Sequence, residues 1–298
     1  MIKMNIALTG ASGSIGKELL PFLKSLGHRV FIISSSTPSD GEIFFSYEDL
    51  KNKTFDFPID IFFHLASINS NLDQKDINNE VQLTKEVLSS LPSLSCKRLI
   101  FFSSSKVYGD NSFSSTTYNE LFTLKPICAY GMAKKLCEEV IKLESSKINV
   151  RSIIFRLPPV LNQSTDSNLG KLIKFSKSGI PIPMLAQGIT NQRSFLSFNN
   201  LETIIHLVLS NKDSFAQNKI YNLADRGSIS LNELLKIAGK GYLPFISKTF
   251  SNFLIKIPFL KKFLLRLYGN FVLDNSKLQD DMDVKLKTTQ ESLPIIYS

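Results

Sequence analysis

The sequence predicts an α/β fold built on a doubly wound parallel sheet. In the first half of the 298-residue chain, short apolar runs alternate with stretches of helical periodicity. The apolar runs are almost continuously hydrophobic, which is typical of parallel strands covered on both faces. Strands that alternate with helices along a chain indicate a parallel sheet with helices on both sides.

Each predicted element follows from its own residue pattern. The apolar runs place strands at residues 6–9, 30–33, 43–45, 59–65, 99–103 and 149–156. Helical spacing of apolar residues places helices at 14–26, 79–91, 129–145 and 168–178. Leu157-Pro158-Pro159 interrupts the alternation, and loops rich in Asn, Ser and Gly follow. We therefore expect one domain over residues 1–157 and a second portion over 158–298, with some of its segments returning to the sheet.

Composition narrows the class of protein. A hydrophobic content of 43% is normal for a globular chain with a sizeable core. The chain has no run of the roughly 20 apolar residues that span a bilayer, and its N-terminus leads directly into the first strand, so we expect a cytoplasmic protein. The net charge of +9 suits an anionic partner or a generic basic surface. No basic tract with interleaved aromatic residues indicates nucleic-acid binding.

The cysteines and histidines predict no metal site. Cys96, Cys128 and Cys137 are odd in number and lack metal-ligand spacing, so they indicate free thiols in a reducing compartment. The three histidines do not cluster in the sequence. Cys128 lies two residues before Tyr130, and we expect it to be a small buried side chain rather than a thiol in an active site.

Three glycines follow the first predicted strand and open the first predicted helix. Gly10 allows a tight turn, Gly13 allows close approach of a ligand to the backbone, and Gly16 allows close packing of helix on strand. The helix N-terminus then offers N–H groups and the positive end of its dipole to a pyrophosphate. This pattern predicts the dinucleotide-binding turn of a Rossmann-type fold. The predicted cofactor contacts in the turn are Gly10, Ser12, Gly13, Ser14, Ile15 and Gly16.

The end of the second predicted strand bears on the choice of cofactor. An acidic residue there binds the ribose 2′-hydroxyl of NAD, whereas an Arg accepts the 2′-phosphate of NADP. This chain has Ser34-Ser35-Ser36 instead. The hydroxyls of Ser34 and Ser35 can bond either cofactor. We expect NAD or NADP, with a slight preference for NADP because no negative charge there repels a phosphate.

Tyr130 and Lys134 have the spacing of a proton-transfer pair. Residues four apart lie on one face of a helix, so the lysine can sit beneath the tyrosine ring. An isolated phenol is a poor base at neutral pH, and a nearby ammonium group favours the phenolate. Such a tyrosine can exchange a proton with a hydroxyl or ketone while a nicotinamide carries the hydride. An ordinary Tyr and Lys on a helix face is the alternative, which the glycine turn disfavours.

Together these motifs resemble the extended short-chain dehydrogenase/reductase family. Within it, the chain is similar to the NAD-dependent epimerase/dehydratase branch, which contains nucleotide-sugar epimerases, dehydratases and reductases. The resemblance covers nearly the whole chain. The motifs that carry it are residues 9–16, 60–66, 103–109, 130–134, 193–195 and 221–223.

The resemblance implies roles for particular residues. Tyr130 would be the catalytic acid/base, Lys134 its partner, and Ser104 the hydroxyl that holds the sugar oxygen. Ser105 competes for that assignment, and is expected to contact substrate, because the serine run permits a slip of one residue. His64 would line the cofactor site without titrating. The further cofactor contacts implied are Leu65, Ala66, Ser103, Tyr130, Lys134 and Leu157.

Two residues of the second portion match positions that contact the substrate diphosphate in relatives. Asn168 is one, although Asn also serves well as a helix N-cap. Arg193 is the other, because a guanidinium suits bidentate binding of phosphate; a surface ion pair is its alternative role. The resemblance thus implies a dinucleotide-binding Rossmann domain over 1–157, a mainly substrate-binding portion over 158–298, a UDP-sugar substrate and a homodimer.

The reaction is predicted less sharply than the family. UDP-galactose 4-epimerases carry an Asn where this chain has Leu157-Pro158-Pro159-Val160. Residues 179–183, 191–195 and 266–270 resemble a branch from O-antigen and capsule gene clusters. We expect a reductase of a UDP-4-keto-6-deoxy-hexosamine, acting at C4 in surface polysaccharide biosynthesis. The alternatives are a UDP-glucose-type 4-epimerase and a non-catalytic NAD(P)-sensing regulator.

The segment from Phe245 to Tyr268 is apolar and basic. An amphipathic helix of that kind can lie on a membrane surface, which leaves peripheral membrane contact open. Pro258 interrupts the segment, however, and for that reason we favour a lid that packs over the substrate.

Overall fold

The computed structural model describes most of the chain and divides it into two compact units. The described residues are 3–37, 41–52, 55, 57–67, 74–112, 116–161, 171, 174, 178, 191–211, 218–238, 265 and 269–297. The first unit comprises Met1–Val107, Leu124–Arg156 and Ile204–Tyr221. The second comprises Tyr108–Thr123, Leu157–Thr203 and Asn222–Ser298. The chain thus crosses between the units several times.

The secondary structure of the described residues is as follows in chain order. The strands are β1 (Asn5–Thr9), β2 (Arg29–Ile33), β3 (Ile43–Phe45), β4 (Ile61–His64), β5 (Arg98–Ser104), β6 (Thr117–Tyr118), β7 (Arg151–Leu157), β8 (Val160–Leu161), β9 (Gln192–Arg193), β10 (Leu196–Ser197), β11 (Lys219–Asn222), β12 (Ile229–Ser230) and β13 (Val272–Leu273). The helices are α1 (Gly16–Ser25), α2 (Tyr47–Asn52), α3 (Gln74–Ser90), α4 (Ala129–Lys147), α5 (Phe198–Ser210), α6 (Leu231–Ala238), α7 (Ser276–Met282) and α8 (Thr289–Tyr297), and a short 3-10 turn covers Ser105–Val107.

A seven-stranded sheet forms the centre of the first unit, in the order β11-β7-β5-β4-β1-β2-β3. The pairs β1–β2, β1–β4, β2–β3 and β4–β5 are parallel. The winding direction reverses between β1 and β4, whose last residues, Thr9 and His64, lie opposite each other. In open α/β sheets a cofactor binds in the crevice beyond the carboxyl ends of two such strands. The predicted Rossmann-type α/β fold is confirmed.

The sequence predicted the strands of the first half well, but it did not predict where every helix and strand begins and ends. Helix α3 begins at Gln74 rather than at residue 79, because the polar residues of its first turn give no apolar periodicity. Helix α2 and strand β11 were not predicted. The helix expected over 168–178 falls almost wholly outside the described residues, as does the segment 245–268.

Helix α4 is oriented by one apolar stripe. Ala133, Cys137 and Ile141 follow each other at a spacing of four residues and are all fully buried. Cys137 and Ile141 belong to the core cluster that also contains Phe62 of β4 and Phe101 of β5. Packing of this stripe fixes the rotation of α4 about its axis and therefore the direction in which its polar residues face.

Within its described residues, the second unit contains three two-stranded pairings, β10–β8, β12–β9 and β13–β6. The buried carboxylate of Asp225 holds several of its segments together. It accepts hydrogen bonds from the Ser197 N–H (2.7 Å) and hydroxyl (2.9 Å), from Asn200 Nδ2 (2.7 Å) and from the Thr289 hydroxyl (2.9 Å). Across the described parts of both units, no helix is long and apolar enough to cross a membrane.

Candidate active site

The glycine turn of the first unit leaves backbone open where a ligand can approach. Gly10 has a φ of +73°, and a Cβ there would lie 2.6 Å from the Ala66 nitrogen. A Cβ on Gly16 would overlap the Gly10 carbonyl oxygen and lie 2.7 Å from Ala11 Cα. A Cβ on exposed Gly13 would meet only the Gly10 oxygen, at 3.3 Å. The fold itself therefore requires glycine at positions 10 and 16. At Gly13, the absence of a side chain leaves the backbone accessible to a ligand.

The start of α1 matches the requirements of a phosphate group. Its N-cap residue, Ile15, makes no side-chain cap hydrogen bond. The turn is closed by its own backbone, because Gly13 accepts the Lys17 N–H at 2.9 Å. Ser12 and Ser14 are exposed beside it. A helix N-terminus carries the positive end of the helix dipole, so these residues fit the pyrophosphate of a dinucleotide.

Thr9 joins the ends of β1 and β4 beneath this turn. Its hydroxyl oxygen accepts the N–H groups of Leu65 and Ala66, both at 3.1 Å. It also lies 2.8 Å from His64 Nδ1. Because the oxygen already accepts two hydrogen bonds, its proton is donated to Nδ1, which places the imidazole proton on Nε2, 3.2 Å from the Thr84 hydroxyl.

His64 is a structural residue of the crevice. Burial lowers the pKa of His64 to about 3, and the nearby charge of Lys134 adds to that shift. The imidazole is therefore neutral at physiological pH and does not exchange protons, as the sequence led us to expect. Since Thr9 uses the amides of Leu65 and Ala66, a cofactor contact by these two residues would involve their carbonyls or side chains.

The segment after β2 offers hydroxyl groups and no charge. The Ser34 N–H donates to the Phe45 carbonyl at 3.1 Å, and the Ser34 hydroxyl accepts the Ser36 N–H at 3.2 Å. Ser35 and Ser36 are exposed. Residues 34–37 contain neither an acidic side chain nor an Arg, so hydroxyl groups are what this segment can present to an adenosine ribose.

Cys128 is the N-cap of α4, and the prediction of a small buried side chain is wrong. The residue is exposed. Its extended backbone (φ −120°, ψ 154°) turns the chain into the helix, and its Sγ accepts the Gly131 N–H at 3.4 Å. A side chain that caps a helix lies at the helix end, where solvent reaches it. The sequence predicted that this helix begins at residue 129, but it did not indicate that Cys128 caps it.

Gly131 sets how closely α4 approaches the 3-10 turn that follows β5. A Cβ on Gly131 would overlap the Lys106 carbonyl oxygen, and would lie 3.0 Å from the Lys106 carbonyl carbon and 3.1 Å from Pro126 Cβ. Tyr130 is the residue before Gly131, and Ser104 precedes Lys106 by two. The contact therefore joins the two segments that carry the predicted catalytic tyrosine and serine.

The ammonium group of Lys134 is held at a defined point inside the first unit. Its Nζ lies 3.1 Å from Glu80 Oε1, 4.7 Å from the centre of the Phe101 ring and 5.8 Å from the centre of the Tyr130 ring. Burial alone would lower the pKa of Lys134, but the interactions with Tyr130 and Glu80 outweigh it and raise the pKa. A permanent positive charge therefore sits beside Tyr130.

The serines at the end of β5 have different roles. The buried Ser103 hydroxyl donates to Glu138 Oε1 at 2.6 Å. Glu138 in turn accepts from Arg156 Nε at 3.0 Å and from Arg156 Nη2 at 2.7 Å. The Ser103 hydroxyl is thus engaged by an internal ion pair, so its predicted contact with a cofactor would involve the backbone.

Ser104 and Ser105 remain alternatives for the catalytic hydroxyl. Ser104 is 8% exposed and its hydroxyl accepts the Lys106 N–H at 3.2 Å, whereas Ser105 is 4% exposed and opens the 3-10 turn. Ser104 keeps its hydroxyl proton available as a donor in this arrangement, because its oxygen acts as the acceptor.

In the second unit, Arg193 is bound by backbone carbonyls. Its Nε donates to the Gly269 oxygen at 2.9 Å and its Nη2 to the Leu265 oxygen at 3.3 Å. Burial lowers the pKa of Arg193 to about 10, and the charge of Asp110 opposes that shift. Leu157 is buried at the end of β7. Asn168 lies outside the described residues.

Sequence reasoning missed Glu80 and Asn191. Glu80 lies on the buried stripe of α3 with Ile77, Thr84 and Val87, and a charged residue on an apolar stripe was the signal that could have revealed it. Asn191 is 5% exposed, and within the described part of the chain neither atom of its carboxamide has a hydrogen-bond partner. Only the folded structure could reveal that feature.

The two buried thiols have no sign of reactivity. Burial raises the pKa of Cys96 to about 12 and that of Cys137 to about 11. Among the described residues, no His, Cys, Asp and Glu side chains come together as a set of metal ligands.

The first unit combines a Rossmann-type sheet, a glycine turn at the switch point of that sheet, and a Tyr130–Lys134 pair on a neighbouring helix. These features define an NAD(P)-dependent enzyme of the short-chain dehydrogenase/reductase type, an epimerase or a reductase. A model of the NAD dependent epimerase/dehydratase family matches residues 6–224. The chain belongs to this family, as its motifs indicated.

Several known proteins are similar to this chain. A UDP-glucose 4-epimerase of Vibrio cholerae is 24% identical over 250 residues, which cover 78% of this chain and 74% of that protein. The crystal structure of a UDP-N-acetylglucosamine 4-epimerase from Bacillus cereus matches with a TM-score of 0.76 and 18% identity, covering 99% of this chain and 98% of that one. The Bordetella bronchiseptica enzyme WbmG, solved in complex with NAD and UDP, has a TM-score of 0.76 and 17% identity, with 99% and 94% covered.

Proposed function

We propose that the protein is a UDP-sugar 4-epimerase that inverts the configuration at C4 with a retained NAD. The observation that carries the proposal is the Lys134 ammonium, fixed 5.8 Å from the centre of the Tyr130 ring in the unit that contains the glycine turn. The names of the similar proteins support the same reaction, since two of them are 4-epimerases of UDP-sugars.

The residues of the first unit have distinct tasks in this reaction. Tyr130 accepts the proton of the C4 hydroxyl, and the charge of Lys134 stabilises the phenolate that makes this possible. A bound nicotinamide would supply the hydride chemistry at C4, as the acceptor and then the donor of the same hydride. Tyr130 then gives its proton back to the C4 oxygen. Ser104, or Ser105 in the alternative, donates a hydrogen bond to that oxygen.

The second unit is proposed to bind the nucleotide. Arg193 is the candidate for the diphosphate, because a planar guanidinium can donate two parallel hydrogen bonds to phosphate oxygens. Its contacts with Gly269 and Leu265 hold the side chain in one position before substrate binds. Asn168 keeps its proposed role beside the diphosphate.

NAD is proposed over NADP. The segment after β2 supplies hydroxyls and no guanidinium for a 2′-phosphate, and the structure of WbmG contains NAD. The slight preference for NADP drawn from the sequence rests only on the absence of a repelling charge. Separate dissociation constants for the two cofactors decide the matter, with tighter binding of NAD expected.

A C4 ketoreductase is the second candidate, and one observation favours it. Leu157-Pro158-Pro159-Val160 stands where UDP-galactose 4-epimerases carry an Asn. In a reductase, a nicotinamide cofactor supplies the hydride once and Tyr130 supplies the proton, so each turnover consumes one reduced cofactor and one proton.

The two reactions differ in their use of cofactor. We expect the purified protein with NAD to interconvert UDP-glucose or UDP-N-acetylglucosamine with its C4 epimer, without net change in the absorbance of the reduced cofactor. Stoichiometric oxidation of NADH or NADPH by a UDP-4-keto-6-deoxy-hexosamine, without epimerase activity, would support the reductase instead.

Tyr130→Phe is expected to lower kcat by about 10²–10⁴-fold, because it removes the general acid/base. Its affinity for NAD, measured by calorimetry, should stay within about twofold of the wild-type value, since only one hydroxyl is lost. Turnover near the wild-type rate in this variant would remove Tyr130 from the mechanism.

A further inference from the structure

We infer that Glu80 is a positioning residue for the acid/base pair: its carboxylate keeps the Lys134 ammonium charged and fixed beside Tyr130. The inference rests on the proposed function, because it concerns the same proton transfer. Glu80 lies on α3 and Lys134 on α4, with 3.1 Å between Glu80 Oε1 and Lys134 Nζ. Both side chains are only 1% exposed.

Stability alone does not account for this ion pair. Removing two charges from water is costly, and apolar residues of similar volume often serve a fold equally well or better than a buried ion pair. Once one of the two charges is present, however, its partner becomes indispensable, because a single unpaired charge in the interior is strongly unfavourable. Lys134 is needed beside Tyr130 for the proposed proton transfer, and its buried charge in turn requires the carboxylate of Glu80.

A second group holds the Glu80 carboxylate in place. The Ser67 hydroxyl donates to the same Oε1 at 2.9 Å. A second buried carboxylate, that of Glu138 on α4, accepts hydrogen bonds from Nε and Nη2 of Arg156 and from the Ser103 hydroxyl. Glu138 therefore balances Arg156, and Glu80 balances Lys134.

The direction of the effect follows from the groups around the ammonium. Tyr130 and Cys137 face it from α4 and Glu80 from α3, while His64 on β4 is neutral. Without the Glu80 charge, burial drives Lys134 toward the neutral amine. The phenolate of Tyr130 then loses its neighbouring cation. Turnover at neutral pH falls, and the alkaline limb of the pH–rate profile moves to lower pH, because Lys134 then keeps its proton only in more acidic solution.

The kinetic test is Glu80→Gln, which keeps the shape of the side chain and removes its charge. We expect kcat to fall about tenfold or more at neutral pH, KM to change little, and the pH optimum to move in the acidic direction, where Lys134 is still charged. Glu80→Asp, which restores the charge, should recover most of the activity and the original optimum. Glu86→Gln is the matched control on the same helix, because Glu86 pairs with Lys51 at the partly exposed surface.

A second readout needs neither cofactor nor substrate. Glu80→Gln and Lys134→Met should each lower the thermal unfolding midpoint, and the double variant should lose less than the sum of the two, because no unpaired charge remains. Additive losses in the unfolding midpoint would overturn the inference. A Glu80→Gln enzyme with the wild-type kcat and pH profile would also overturn it, provided that Tyr130→Phe is inactive. Full turnover by both Tyr130→Phe and Lys134→Met would instead overturn the proposed function, while non-additive midpoints would still establish the coupling.

Discussion

At the scale of single residues, the carboxamide of Asn191 is the most unusual group in the second unit. It is buried, and within the described residues its nitrogen and oxygen have no hydrogen-bond partner. A buried polar group without a partner costs stability. Asn191 directly precedes β9 and lies two residues before Arg193 in the chain. A buried carboxamide that lowers the stability of the fold, two residues from the candidate phosphate ligand Arg193, indicates a role in binding.

Asn191→Leu is therefore expected to have opposite effects on stability and binding. The free energy of unfolding, measured with urea, should rise by about 1–2 kcal/mol, because the unpaired polar atoms are removed. The affinity for UDP, measured by calorimetry, should fall about tenfold through the loss of hydrogen bonds. Unchanged UDP affinity in a stabilised variant would show that Asn191 takes no part in nucleotide binding.

At the scale of elements, the first turn of α4 governs the geometry of the proposed site. Replacement of Gly by Ala within a helix ordinarily stabilises it by about 1 kcal/mol. Gly131→Ala should do the reverse, because the new Cβ would overlap the Lys106 carbonyl. We expect a loss of about 1–3 kcal/mol in the free energy of unfolding and a kcat about 10²-fold lower, as Tyr130 shifts relative to the serine run.

The control for Gly131→Ala is Met132→Ala, a change of an exposed side chain in the same helical turn. Its stability and kcat should stay close to the wild-type values. If Gly131→Ala is as stable and active as this control, the close approach of α4 to the 3-10 turn does not set the position of Tyr130.

The sequence predicted the sheet, the glycine turn and the helix of Tyr130 because each has a local pattern. Apolar runs mark β1, β2 and β5, and the spacing of four residues puts Tyr130 and Lys134 on one helix face. The role of Glu80 depends on the packing of α3 against α4. That of Asn191 depends on its burial without a hydrogen-bond partner among the residues that the structure describes. Interactions between distant segments leave no short-range pattern. Cys128 was wrongly expected to be buried for a different, local reason, because its role as a helix cap was not recognised.

At the scale of the whole molecule, each unit has its own proposed task. The first contains the switch point of the sheet, the glycine turn and the ion pair beside Tyr130. The second contains Arg193 and Asn191, the candidates for nucleotide binding. In the proposed inversion at C4, the oxidised sugar is reduced from its other face by the same hydride. The account therefore predicts that the C4 hydrogen does not exchange with solvent during turnover.

The most direct test follows the C4 hydrogen itself. The protein with NAD is incubated with UDP-glucose that carries deuterium at C4, and the product is analysed by NMR. The account predicts a C4 epimer that retains its deuterium, formed with a primary kinetic isotope effect and with no net reduction of NAD. A C4 epimer that has exchanged its deuterium for solvent hydrogen would contradict hydride transfer, and the absence of any epimer from UDP-glucose or UDP-N-acetylglucosamine would contradict the proposed reaction.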